Sequence, residues 1–212
     1  MGRLIAVEGL DGAGKNTLVT GLVRRWREGG LTVAAFAFPR YHRSVFADIA
    51  AESLHGEHGD LRDSVYAMAL LFALDRQAAA PEIRSALDAN DIVVADRYVA
   101  SNAAYSAARL DQGADGEVVA WVRDLEFGRF GLPRPDHTLL LGVPAEVAMR
   151  RARARSADDP SRPRDHYERD SDLQRSVDAV YRDLARSGWA SPWSEVAGAD
   201  PAELGDLLVE HR

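Results

Sequence analysis

The sequence predicts an α/β fold: a doubly wound parallel sheet of five strands with helices on both faces. Three observations carry this. Apolar runs of strand length alternate with longer stretches of helical spacing along the chain. Those runs are mostly continuously apolar, as strands covered on both faces require. Between the first run and the first helical stretch lies Gly9-Leu10-Asp11-Gly12-Ala13-Gly14-Lys15, a G-x-x-x-x-G-K loop. Strand, loop, helix is the context in which such a loop cradles phosphate on its backbone N–H groups.

The elements follow in order. Leu4–Val7 is the strand entering the loop, and Thr17–Arg27 has helical apolar spacing leaving it. Thr32–Phe38 reads as the second strand, and Val45–Leu54 as a helix closed by a turn at Gly56 to Gly59. A long helical stretch spans Leu61–Asp88, with Pro81 expected to break or kink it because proline cannot continue the backbone ladder. Ile92–Ala95 is the third strand, followed by helices over Ser101–Arg109 and Glu117–Arg129. Thr138–Val143 is the fourth strand and Ala145–Arg155 the next helix. Ser156 to Arg164, polar and broken by prolines, reads as a mobile loop. A helix over Asp172–Ser187 and a weak strand at Glu195–Val196 complete the pattern. No linker or repeat divides residues 1–212, so one domain is expected, with the phosphate loop at 9–17 and binding at the strands' carboxyl ends.

Composition narrows the class. At 212 residues the chain can bury a good core. A net charge of −7 argues against a nucleic-acid-binding surface. With 0 cysteines there is no disulfide framework and no thiolate site. No run approaches the length of a membrane span, and the N-terminus runs straight into a strand with no room for a signal peptide. A cytoplasmic protein without membrane or nucleic-acid partners is expected.

The lysine in the loop is unusual. The chain has 25 arginines and one lysine, Lys15. An ammonium on a flexible stem reaches between phosphates where a planar guanidinium is bulkier and differently aimed. The next position commonly holds a Ser or Thr that ligates Mg²⁺. Here Asn16 stands there, then Thr17, so the metal is expected to be held differently, with Asp11 the nearest carboxylate that could compensate.

Further clusters fall at the predicted binding edge. The second strand ends in Phe38-Pro39-Arg40-Tyr41, and the third in Asp96-Arg97-Tyr98, followed by Ser101, Asn102 and Tyr105. A strand-end Asp beside such a loop serves a Mg²⁺ shell, and an Arg beside it clamps a second phosphate. Phe72 and Arg76 are four apart on one helical face; they suit base stacking with carbonyl recognition, although Met68 to Phe72 also reads as core. Arg150, Arg151, Arg153, Arg155, Arg162 and Arg164 concentrate positive charge before Asp165-His166-Tyr167-Glu168. Arg151 and Arg155 share a face, as an arginine-rich flap over polyphosphate requires.

Taken in this order, with Pro133-Arg134-Pro135-Asp136 before the fourth strand, these segments resemble the thymidylate kinase family, of the actinobacterial, mycobacterial type. The resemblance covers nearly the whole chain. It implies a P-loop nucleoside monophosphate kinase fold with a mobile arginine-rich LID over about 151–165, and direct in-line transfer from ATP·Mg²⁺ to dTMP, giving dTDP for dTTP synthesis. The ATP site would comprise Gly9, Leu10, Asp11, Gly12, Ala13, Gly14, Lys15, Asn16 and Thr17, with an adenine contact near Ala197-Gly198-Ala199-Asp200. For dTMP it implies Phe72 on the base, Arg76 on its carbonyl, Asn102 on its N–H, Tyr105 against the 2′ position and Asp11 near the 3′-hydroxyl. Phe38, Tyr41 and Arg97 would hold the phosphate, Ser101 would line the site, and Asp165 and Tyr167 would close over the nucleotide. Asp11, Asp96 and Glu168 would serve the metal. Lys15, Asp11, Arg97, Arg151, Arg155 and Arg162 would form the catalytic set, the flap arginines replacing one that some members carry where Gly12 stands. Homodimers are usual in the family.

Rival readings remain at this level. A different nucleoside monophosphate kinase, or a deoxynucleoside kinase needing a general base, would share the loop. A P-loop GTPase is disfavoured because no Asn-Lys-x-Asp motif exists and the single lysine is already used. Asn16 leaves room for a nucleotide-binding relative without turnover.

Overall fold

The first strand alternates its small apolar side chains between two faces, and each face becomes a core. In the computed structural model, which describes residues 1–158, 164–196 and Leu204, β1 (Arg3–Glu8) is buried almost throughout. Leu4 and Ala6 join Val93, Ala95 and the helices of one face. Ile5 and Val7 join Leu18, Leu22, Trp26 and Leu139 on the other. This two-sided burial is why the strands read as continuous apolar runs.

The sheet has five parallel strands in the order β2-β3-β1-β4-β5, with β2 Val33–Ala37, β3 Ile92–Asp96, β4 His137–Leu141 and β5 Trp193–Val196. Strand order reverses between β1 and β4, and that switch point places the loop after β1 in the binding crevice. Asp96 is level with both Val7 and Ala37, so the ends of β1, β2 and β3 open onto one site.

The helices are α1 Lys15–Glu28, α2 Val45–Leu54, α3 Val65–Ala89, α4 Val99–Arg109, α5 Glu117–Arg123, α6 Ala145–Asp158, α7 His166–Arg169 and α8 Ser171–Ser187. Several departures from the sequence reading have physical causes. The long stretch from Leu61 divides: a 3-10 turn (Leu61–Asp63) precedes α3, and the Ser64 side chain caps α3 by accepting from the Ala67 N–H. Pro81 does not break α3, which continues to Ala89. Pro81 and Gln77 are both exposed, so water can serve the carbonyl that proline leaves unpaired. The stretch after Glu117 also divides, α5 passing into a π turn over Asp124–Arg129. The helix expected to end at Arg155 runs on to Asp158, so Ser156, Ala157 and Asp158 are helical rather than loop. A short helix, α7, was not expected; the Asp165 carboxylate caps it through the Glu168 N–H.

Candidate active site

Backbone conformation shapes the phosphate loop. Gly9, Gly12 and Gly14 all take positive φ, and α1 begins at Lys15 with no side-chain cap and no acid in its first turn. Its first backbone bond joins the Leu18 N–H to the Gly14 carbonyl, so the N–H groups of Lys15, Asn16 and Thr17 precede the helical ladder. These orphan donors and the positive end of the helix favour a bound anion. Gly12 faces α6 so closely that a Cβ there would lie 2.2 Å from the Ala148 carbonyl oxygen. An arginine at this position cannot be accommodated in this packing.

Lys15 is only 7 % exposed and donates to the Leu10 carbonyl at 2.8 Å. Burial, then the Arg97 charge, pulls its ammonium down to about 8. Beside it Arg97, itself at positive φ, brings Nη2 to 2.8 Å from Asp11 Oδ1. That contact is an ion pair without the alignment of a hydrogen bond. Burial pushes the Asp11 carboxyl up, but Arg97 and Lys15 override it and hold it well below the usual carboxylate range. Asp11 also accepts from the Tyr105 hydroxyl at 3.0 Å.

A buried acid the sequence reading missed holds Arg97 in place. Glu8 is 0 % exposed and accepts from the Tyr98 N–H, the Ser101 hydroxyl (2.6 Å) and the Tyr181 hydroxyl (3.0 Å). Those two hydroxyls in turn accept from Arg97 Nη1, at 3.1 and 3.3 Å. Ser101 therefore supports Arg97 from behind. Tyr181 had only the signal of an aromatic on the apolar stripe of α8.

A separate apolar cluster lies beside this network. Ala50, Leu54, Met68 and Tyr167 are buried there, with Phe72, Tyr105 and Leu61 partly exposed against them. Phe72 is thus partly buried against this cluster. Tyr105 and Tyr167 stack with ring centroids 5.9 Å apart. The turn Phe38–Tyr41, whose first peptide bond is cis, is fixed to α3 by a pair the sequence did not single out: Arg40 Nε to Asp75 Oδ1, 2.8 Å. This leaves Tyr41 exposed.

A second missed acid ties α3 to α4. Glu126, on the π turn, accepts from Arg76 Nε at 2.5 Å and Nη2 at 2.8 Å, and from Asn102 Nδ2 at 2.8 Å. Burial disfavours the Arg76 charge, but Glu126 outweighs it and the net shift is upward. Removing one partner of such a buried pair costs about 3–5 kcal/mol. A carboxylate one turn after buried Val122 was the available sequence signal.

The flap side is partly gathered. Arg151 reaches toward the Ala13 carbonyl at 3.4 Å, and Arg155 pairs with Glu168 at 2.8 Å. Burial, then Asp11 and Asp165, raises the Glu168 carboxyl above its usual range. Arg162 and the segment 197–200 lie outside the described residues. Asp11, Asp96 and Glu168 are not a preformed cluster. Among the described residues, the acidic and histidine side chains that come within 4.8 Å of one another are Glu52, Glu57 and His58, on the surface after α2. Asp96 instead borders, with Asn16, a groove between α1 and β2.

Comparison with known proteins agrees with this geometry. The sequence pattern of the family described as thymidylate kinase matches residues 7–192. The chain is 57 % identical over 207 residues to thymidylate kinase of Mycobacterium tuberculosis, covering 97 % of each. It is 32 % identical over 189 residues to a probable thymidylate kinase of Thermococcus gammatolerans, covering 87 % of this chain and 84 % of that one. The solved thymidylate kinase of Candida albicans shares the fold at a TM-score of 0.71 and 24 % identity, over 99 % of this chain and 90 % of that one. With the family's pattern spanning residues 7–192 and a relative this similar from end to end, the chain belongs to the thymidylate kinase family.

Proposed function

We propose that the loop 9–17 holds ATP and that the aromatic pocket holds dTMP, the chain transferring the γ-phosphoryl group directly to the dTMP 5′-phosphate. One observation carries this reading: Lys15, Asp11 and Arg97 meet at the border between the phosphate loop and the pocket of Phe72, Tyr105 and Tyr167. An acceptor phosphate is already ionised at neutral pH, so no protein nucleophile or general base is required. Catalysis is then positioning and charge neutralisation. Arg97, braced by Ser101 and Tyr181, orients the acceptor phosphate, with Tyr41 and the Phe38 backbone beside it. Lys15 and the amides up to Thr17 hold the donor phosphates. Arg151 and Arg155, with Arg162, bring positive charge from the flap as the phosphoryl group moves. Asp11 faces the sugar 3′-hydroxyl, and the Tyr105 ring beside it crowds the 2′ position. Asp165 and Tyr167 close the flap side.

The acids fit a divalent cation. Burial raises the Asp165 and Glu168 carboxyls and the Asp11 charge adds to it, a build-up of negative charge that a cation relieves. Asp11 and Glu168, with Asp96 from the strand end, would hold Mg²⁺, which when bound neutralises charge on the transferring phosphates. The same reading places the enzyme in the cytoplasm as a homodimer. Tyr66 and Leu70 leave 43 % and 38 % of their surface exposed one turn apart on α3, an apolar face suited to a second copy.

The deciding experiment is ADP release with ATP·Mg²⁺ against dTMP, dUMP, the ribose form of TMP, CMP, AMP, GMP and thymidine. Fast turnover is expected with dTMP, weaker with dUMP and the ribose form. Preference for thymidine or a purine nucleotide would overturn the acceptor site, and no turnover would leave a nucleotide-binding role.

A further inference from the structure

We propose that Glu126 is a specificity-positioning residue. It fixes the hydrogen-bond polarity of the base site, so that a pyrimidine with a 4-carbonyl and an N3–H is accepted and one with a 4-amino group and a bare N3 is refused. The proposal rests on the dTMP reading above and assigns a role to a residue that does not touch the substrate.

Glu126 is fully buried, and the π turn keeps both it and the adjacent Leu125 inside. Its carboxylate is acceptor-only, and three donors converge on it: Arg76 Nε and Nη2, and Asn102 Nδ2. The Asn102 amide nitrogen donates a second time, to the Ala69 carbonyl at 2.9 Å. With acceptors on both sides, that amide has only one tolerable orientation. Turning it over would set Oδ1 against a carboxylate and a carbonyl, all buried. Asn102 therefore presents an acceptor, Oδ1, to the pocket.

The same carboxylate decides what Arg76 presents. Its Nε and Nη2 edge is committed to Glu126, which leaves the Nη1 edge. No described residue accepts from Nη1. Arg76 lies one turn after Phe72 on the same face of α3, so this remaining donor belongs to the pocket that Phe72 walls. One donor and one acceptor thus stand side by side, both set by Glu126.

Thymine and uracil offer the complement, a 4-carbonyl to the donor and N3–H to the acceptor. Cytosine offers the reverse at both points. Its amino group meets Nη1 and its bare N3 meets Oδ1, two contacts that leave buried groups unpaired. Without the carboxylate only the Ala69 carbonyl opposes a turn of the Asn102 amide, so the reversed pattern costs less at that point. Glu126 supplies the charged half of the constraint.

The test uses the full chain and compares kcat/KM for dTMP and dCMP within one preparation, where the folded fraction cancels. Wild type should favour dTMP strongly. In Glu126→Gln the side chain can donate as well as accept, so only the Ala69 carbonyl still holds the Asn102 orientation. The dTMP/dCMP ratio should fall by about tenfold or more, with dUMP following dTMP and KM for ATP unchanged. A wild-type ratio in the folded variant, or equal losses on both nucleotides, would overturn the proposal and leave Glu126 a purely structural anchor. A wild-type enzyme indifferent to dTMP and dCMP would instead defeat the dTMP reading beneath it. Should Glu126→Gln not fold, Glu126→Asp keeps the charge beside Arg76 but is too short to hold all three donors. A reduced ratio there supports the proposal, and an unchanged one overturns it.

Discussion

Lys15 sits where an ammonium is least comfortable, buried and close to Arg97, and for that reason its proton is loosely held near pH 8 in the free enzyme. ATP phosphates would hold it on. The expected consequence is a split between two pH profiles. kcat/KM for ATP, which reports the free enzyme, should fall as pH rises through about 8, whereas kcat at saturating ATP should stay level to higher pH. Parallel profiles would mean that Lys15 does not titrate. The unfolded chain keeps that proton until near its ordinary value of 10.5, so between about 8 and 10.5 this group makes stability rise with pH. Asp11 is the opposite case: the cations beside it keep it ionised throughout the working range. Both residues were legible in the sequence because the loop pattern names them. Glu8 and Tyr181, which hold Arg97, were not. Each looks like an ordinary member of an apolar strand or helix, and only the meeting of β1, α4 and α8 turns them into one network.

At the scale of elements, the contact of α6 with the phosphate loop couples the flap arginines to the donor site. Gly12 makes it possible, with φ of 83° and no room for a side chain against Ala148 and Ala152. Gly12→Ala should therefore cost about 2 kcal/mol or more through strain and displacement of α6. It should also raise KM for ATP while leaving dTMP binding nearly intact. Thermal unfolding and titration of the two nucleotides would check this, and an unchanged KM for ATP would show that α6 and the loop are not coupled. The π turn after α5 has a comparable role, because it turns Glu126 inward. Helical periodicity predicts one continuous helix there. A one-residue widening of a turn leaves no mark on the hydrophobic pattern, and tertiary packing selects it.

For the whole molecule, the sheet order puts the proposed donor and acceptor sites on adjacent strand ends, so each ligand should stabilise the fold separately. At about 100 times its Kd, each nucleotide should add about 2.7 kcal/mol, or roughly 5–10 °C in Tm for a chain of this size. Lys15→Ala should abolish the shift with ATP and preserve the shift with dTMP. Loss of both shifts would mean the two sites are not separable.

The sequence by itself determined the class of fold, the phosphate loop, the strand ends that carry Asp96 and Arg97, and all five strands. These are local features: continuous apolar runs fix buried parallel strands, and a glycine pattern fixes a backbone that wraps phosphate. Tertiary structure alone decided how the charged residues are used. Arg76, Asn102 and Ser101 were visible as polar side chains, but their free and committed edges depend on Glu126 and Glu8, which approach from elements 24 to 93 residues away. A buried donor or acceptor must find its partner wherever the fold delivers one. The chain's local pattern names the groups, and the packing of distant elements decides which of them remain free to meet a ligand.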